Sequence, residues 1–391
     1  MKSTTLPTLF CLGLTAVVGC GDNADSIDDP DAAPPAPDAP IEPDAPPAAR
    51  VGLSTFDFQF AVDVTPDGKT AVFEGVGVEV FEAILYFHDT LADQVTEMTV
   101  VGDPLRHIVT GVSATGRVSA LHAEPVQAGL WAPGGDWLDL GSPHPAGCGE
   151  DLSGGFDVSA DGAVTVGLTW DGCTARAFRW TDAGGSGAFT LLEVLGTPLG
   201  GGGAPTNRAS VISDDGRIAA GFASNAPLDR TPALWNPDGT GFLIDPDEHD
   251  APGEVLSISA DGSVAAGIKG YDGFVWTAAG GMVILPRLEV SLPSDAVYPN
   301  AMSADGSLVF GGVGNSFFSI PIAFVWSAEH GTRALADVAT AAGIAIPDGM
   351  ILGNVLGASA DGLVLVGTAT TAEFTEKSFT LRLPANAYDQ P

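Results

Sequence analysis

The strongest constraint on this chain is a short signature that returns seven times between residues 65 and 362. It reads Thr65-Pro66-Asp67-Gly68, Ser113-Ala114-Thr115-Gly116, Ser159-Ala160-Asp161-Gly162, Ser213-Asp214-Asp215-Gly216, Ser259-Ala260-Asp261-Gly262, Ser303-Ala304-Asp305-Gly306 and Ser359-Ala360-Asp361-Gly362. The marker glycines are 48, 46, 54, 46, 44 and 56 residues apart. Such a period marks propeller blades or another stacked array, because one unit cannot bury both its faces alone.

Each unit reads as strands. A short apolar run precedes the marker, as in Phe156-Asp157-Val158. Asp-Gly then turns the chain, and a two-residue hairpin loop with positive φ at both residues is expected. The second strand carries a glycine five residues after the marker glycine: Gly167, Gly221, Gly267, Gly311 and Gly367. A glycine fixed inside a strand marks close approach of another group, expected here from neighbouring blades crowding near an axis. A third strand ends on an aromatic, as in Ala177-Phe178-Arg179-Trp180, Ala233-Leu234-Trp235, Gly273-Phe274-Val275-Trp276 and Ala323-Phe324-Val325-Trp326. A turn and a fourth strand complete a blade. The expected fold is therefore all-β, a seven-bladed β-propeller of four-stranded antiparallel blades.

Signature, strand glycine and Ala-Phe-x-Trp together resemble the HAF-type extracellular repeats of bacterial secreted and surface proteins. The resemblance spans residues 55–383 and implies repeat type and location, with no common chemistry attached. Repeats one and two depart from it: Tyr86-Phe87 stands for the tryptophan in the first, and Thr115 for Asp in the second.

The last repeat stops at Pro384 without a fourth strand, while a spare apolar stretch, 51–56, precedes the first. That stretch is expected to complete the last blade and close the ring, leaving no open edge. The propeller then covers 51–384, with 385–391 as a C-terminal tail.

Residues 1–19 read as a lipoprotein signal peptide. Lys2 gives a positive start, a short apolar run follows, and Val17-Val18-Gly19-Cys20 resembles the bacterial lipobox. Cys20 is the expected lipidation site, since two or three acyl chains anchor stably where one exchanges. Residues 20–50 then form a Pro/Ala/Asp-rich tether that cannot bury a core. The reading is an exported protein, lipid-anchored to the cell envelope at the outer membrane or cell surface. Two cysteines remain in the oxidising compartment, Cys148 and Cys173, and are expected to form a disulfide.

Forty-nine acidic against fifteen basic residues give a formal net charge of −34. With no basic cluster to neutralise phosphates, nucleic acid is excluded as a partner, and membrane contact is through the N-terminal lipid alone. The chain is expected to be a monomer. The histidines, His88, His107, His122, His144, His249 and His330, are scattered singly and read as solvated loop residues rather than ligands. No nucleophile elbow or phosphate loop is present. No cofactor is expected; calcium on the repeated aspartates is the one ion left open, although turn chemistry explains those residues. The tryptophans read as packing between blades rather than a sugar platform, with Trp170 as an exposed loop aromatic. The functional expectation is a non-catalytic binding or scaffolding module for an extracellular protein or glycan, contacted through the tunnel mouth and the loops 199–208 and 290–299. The alternatives are an extracellular hydrolase or lyase acting on a polymer, and a purely structural envelope component.

Overall fold

Each signature is a turn tied by its own side chains. In the computed structural model, which describes residues 50–389 apart from 59, 77–82, 100–107, 123–125, 144–151, 172–173, 185–186, 199–204, 227, 246–250 and 315–319, the third blade shows the pattern. The Ser159 hydroxyl donates to Asp161 Oδ1 at 2.6 Å and accepts the Val164 N–H at 3.0 Å. Asp161 Oδ1 also accepts the Ala163 N–H at 2.9 Å, and the Gly162 N–H donates to the Ser159 carbonyl at 2.8 Å. The same Ser–Asp bond recurs at 213/215, 259/261, 303/305 and 359/361. This corrects the expected two-residue loop. Ser159 pairs with Val164, so the loop is longer, and among the marker residues only the glycines have positive φ. Aspartate is there to accept, not to bend. In the second blade Thr115 takes the aspartate's place with a hydroxyl 2.9 Å from Ser113 Oγ, and the turn is one residue shorter, Ser113 N–H reaching the Arg117 carbonyl.

Seven four-stranded antiparallel sheets result. Their inner strands are Phe60–Val64, Ile108–Val112, Ser153–Val158, Asn207–Ile212, Gly253–Ile258, Ala296–Met302 and Ile351–Ala358, in blades 1 to 7. Blade 7 is completed as expected. The strand Gly52–Phe56 pairs antiparallel with Glu376–Arg382, Gly52 opposite Arg382 and Phe56 opposite Ser378. The chain's two ends thus share one sheet, and that sheet has no vacant outer position.

Every inner strand carries a β-bulge six residues before its marker glycine, the one in blade 6 spanning two residues. The bulge explains the strand glycines. A Cβ on Gly167, Gly221, Gly267, Gly311 or Gly367 would collide with the carbonyl of Gly154, Arg208, Glu254, Tyr298 or Asn354. The crowding backbone therefore belongs to the same blade's inner strand, not to a neighbouring blade as expected: an extra residue pushes the preceding carbonyl out of the ladder and across the next strand.

The tryptophans pack between blades, as expected. Trp235 of blade 4 sits among Val166, Ala177 and Leu192 of blade 3, and its indole N–H donates to the Glu193 carbonyl at 2.9 Å. Trp180 meets Ala128 and Leu130 of blade 2, and Trp131 lies against Phe87 at 5.4 Å between ring centres. One element was not legible in advance, the helix Leu335–Ala341. Its Leu335, Val338 and Ala339, spaced three and four apart, fill the core between blades 6 and 7, and Gly343 at φ 84° follows its end. The C-terminal segment packs too: Ala387 is buried and the Tyr388 hydroxyl donates to the Gly362 carbonyl at 2.5 Å.

The marker turns are also joined to one another. The N–H of Ala114 donates to the Ala160 carbonyl, Ala160 to Asp214, Asp215 to Ala260, Ala260 to Ala304, Ala304 to Ala360, and Ala360 to Pro66, at 2.8 to 3.1 Å. This chain of backbone bonds runs around one end of the propeller. It is interrupted between blades 1 and 2, because Pro66 has no N–H to give.

Candidate channel and its charged mouth

The inner strands enclose a central cavity of about 400 Å3 to which all seven blades contribute. Its walls follow from the repeat. The bulged residues line it: apolar Val62, Leu256 and Leu356, aromatic Phe156, and polar Thr110, Ser210 and Asn300. Two residues closer to the marker turns a second ring follows, almost wholly apolar, built from Val64, Val112, Val158, Ile212, Ile258 and Met302 with Ala358.

Two carboxylates lie between these rings. Asp63 accepts the Val64 N–H at 2.8 Å and, across the seam to blade 2, the Val112 N–H at 3.1 Å. Asp157 repeats the arrangement two blades on, accepting from Val158 at 2.7 Å and from Ile212 of blade 4 at 2.8 Å. Room for them comes from glycines at the equivalent position of the preceding blade. A Cβ on Gly357 would lie 2.5 Å from Asp63 Oδ1, and one on Gly111 would lie 2.7 Å from Asp157 Oδ1. Loss of solvation pushes Asp63 up to about 7, against the pull of its two N–H donors, and raises Asp157 well above the usual carboxylate range. Glu74, whose Oε2 accepts the Val109 N–H at 3.1 Å across the same blade 1–2 seam, is likewise pushed up to about 7 by burial. These carboxyls hold blades together through backbone amides.

At the end of the channel away from the marker turns, a different cluster forms. Arg208 donates through Nε to Ser210 Oγ at 3.0 Å and through Nη2 to Glu254 Oε1. Ser210 Oγ donates to the same oxygen at 2.6 Å, and Arg230 Nη1 to Glu254 Oε2 at 3.0 Å. Both guanidiniums lie on aromatic faces: Arg208 is 4.7 Å from the ring centre of Phe156 and 5.0 Å from that of Phe222, and Arg230 is 4.5 Å above Phe222. Two arginines share one carboxylate, and the cluster carries a net positive charge in an acidic protein.

The residues singled out from sequence are distributed as follows. Cys20, Cys148 and Cys173 lie outside the described residues, as do His107, His144, His249 and most of the loop 199–208. The marker aspartates are engaged in their own turns, and among the described residues no group of three or more His, Cys, Asp or Glu is placed to hold a metal. His88 and His122 correct the loop expectation: both stand on strands and are buried. His88 Nδ1 lies 3.1 Å from Thr380 Oγ1 of blade 7 and its Nε2 lies 3.0 Å from Asp93, and burial lowers its pKa. His122 stacks on Trp137 with its Nδ1 2.5 Å from Asp139. Trp170, expected on an exposed loop, is a half-buried strand residue opposite Ala175. Arg230 and Glu254 were missed, and Arg208, named only as the end of the contact loop 199–208, stands on the strand Asn207–Ile212. Their signal is present in the sequence, since Arg208 and Glu254 each stand eight residues before a marker glycine.

No family model matches the sequence, and no curated protein matches it. Solved structures do match in shape. The β-propeller domain of Cps50 (Swd1) from Myceliophthora thermophila aligns with a TM-score of 0.53 at 10% identity, over 85% of this chain and 99% of that one. An oligogalacturonate lyase in complex with manganese aligns at 0.51 and 13%, over 86% and 92%. A catalytically inactive virginiamycin B lyase from Staphylococcus aureus with quinupristin aligns at 0.50 and 12%, over 86% and 100%. These likenesses establish the propeller fold and carry no activity.

Proposed function

We propose that the propeller is a non-catalytic recognition module for an extracellular protein or glycan, held at the cell envelope by lipid on Cys20, with the Arg208–Arg230–Glu254 mouth as its recognition face. The observation that carries this reading is the division of labour among the channel's charged groups. Asp63, Asp157 and Glu74 are spent on amides across blade seams, so they serve the framework. The arginine pair also crosses a seam, from blade 4 to Glu254 of blade 5, but it stands at the open end and brings one positive charge more than that carboxylate offsets. A rigid closed ring that presents such a mouth suits binding, since a preorganised site loses little entropy on engagement.

The test is a thermal-shift screen of the full chain in mild detergent with cell-wall fragments, oligosaccharides, peptides and metal ions. A ligand at one hundred times its dissociation constant stabilises by about 2.7 kcal/mol. A saturable shift that Arg230→Gln abolishes supports the reading; turnover of any added polymer overturns the non-catalytic part. Incorporation of labelled fatty acid, lost in Cys20→Ala, checks the anchor.

A further inference from the structure

The repeat gives a way to separate framework from function at the mouth. Each blade contributes one residue eight positions before its marker glycine, at the same place in the ladder between its first two strands. These residues form a collar around the channel end opposite the marker turns. Deeper in the channel, the ring four positions before the marker glycine, from Val64 to Ala358, stays apolar in every blade. The collar does not: it holds Phe60, Ile108 and Tyr298, then Arg208 and Glu254, with Gly154 and Asn354 completing the ring. Three of its members are large apolar or aromatic side chains left in solvent, Phe60 at 56%, Ile108 at 57% and Tyr298 at 42% exposure. Phe60 and Ile108 stand on adjacent inner strands and Tyr298 two blades away, and exposed apolar side chains around one opening offer a contact surface.

Resting on the binding reading above, we propose that the collar takes a carboxylate ligand with a single negative charge and an apolar or aromatic body. The charge side of the argument starts at Arg230. Its side chain is 45% exposed, and among the described residues one bond to Glu254 is all its N–H groups make, so donors remain for an incoming carboxylate. Glu254 is only 6% exposed and is held from both sides, which fixes the two guanidinium planes. A planar fork on an aromatic face is suited to a carboxylate. The body of the ligand meets the apolar rim, or enters a channel whose first ring offers Phe156, Val62, Leu256 and Leu356. A volume of about 400 Å3 lies in the range of small-molecule sites.

One charge is favoured over many. The chain carries a formal −34. A polyanion would gain one arginine pair and meet repulsion everywhere else.

Two sources offer this chemistry, a free aryl or alkyl acid and the C-terminal carboxylate of a peptide. Calorimetric titration of the full chain in detergent distinguishes them with 3-phenylpropionate, its primary amide, N-acetyl-phenylalanine, its amide, and a six-residue peptide ending in free phenylalanine. We expect each acid to bind at least about tenfold more tightly than its amide, and Arg230→Gln to erase the difference. A peptide that exceeds the free acids by about tenfold identifies a chain terminus as the source, and equal affinities identify the small acid. Amides that bind as well as acids, or acids that fail to bind at millimolar concentration, overturn the carboxylate assignment. Neutral oligosaccharides and amidated peptides run beside them separate that failure from the failure of the binding reading, which survives if any of these binds. Arg230→Lys guards against a folding artefact: it keeps the charge without the fork and should restore binding only in part.

Discussion

The carboxylate of Asp63 occupies the space that Gly357 leaves by lacking a side chain, with Oδ1 2.5 Å from where a Cβ would stand. The relationship crosses the seam between blades 7 and 1, and the same carboxylate reaches the Val112 N–H across the next seam. Three blades meet at one side chain, and Gly111 with Asp157 repeats the device for blades 2, 3 and 4.

Gly357→Ala should therefore displace Asp63 and leave the Val64 and Val112 amides without their acceptor. A loss of about 2–4 kcal/mol is expected, in the range of an overpacked site combined with unsatisfied buried donors. Urea unfolding measures it. An unchanged midpoint would mean that the strand shifts to accommodate the methyl at no cost.

The raised carboxyls fix the sign of the pH dependence. Asp63 and Glu74 titrate at about 7 in the fold, above the usual carboxylate range of the unfolded chain. The folded state then holds the proton more tightly, so the stabilisation is complete at low pH and is lost as pH rises through 7. Each group contributes a slope of at most about 1.4 kcal/mol per pH unit. Melting temperatures should fall from about pH 5 to about pH 7, and Glu74→Gln, which keeps an acceptor for the Val109 amide, should flatten the curve. A curve that rises over this interval contradicts the assignment.

Deleting 51–56 strips the outer strand from blade 7 and bares the edge of Glu376–Arg382. The whole ring should lose stability, by more than about 5 kcal/mol, because both ends of the chain are released at once. Thermal unfolding read by circular dichroism checks this, and a propeller that melts at its original temperature would show that closure does not depend on this strand.

The marker turns make a claim about metal ions. Ser159 Oγ donates one bond and accepts another, and Asp161 receives two, all inside the turn. Ser159→Ala should cost about 1–2 kcal/mol. EDTA should leave the melting temperature unchanged; a fall reversed by calcium would place an ion on these aspartates.

Much of this architecture is legible in the sequence because it is written seven times. The marker turn, the strand glycine and the Trp at the end of the third strand each repeat, so blade number and strand order follow from spacing, and closure by 51–56 from the fourth strand that the last repeat lacks. Other features depend on what a neighbour does. The role of Gly167 required knowing that a bulge pushes the Gly154 carbonyl across it, and alternation along Ser153–Val158 does not reveal the bulge. The helix Leu335–Ala341 occurs once, in the longest interval, and its short apolar pattern reads equally as strand. The mouth was hidden for a related reason. Arg208 and Glu254 differ from their counterparts in other blades, and a search tuned to repetition passes over what varies.

The interruption at Pro66 gives the ring an orientation that its outline lacks. Six amides point the same way around the circle, from each turn to the next, and the procession halts before Ala114. A wheel assembled by such a rule has a first spoke and a last, even where the chain's ends are stitched together elsewhere, in blade 7. Two joints therefore distinguish themselves in a nominally sevenfold object, one stitched by strand exchange and one missing its amide rivet. The second is spanned instead by the side chains of Asp63 and Glu74, so the gap in the wheel is bridged by groups whose hold depends on a proton.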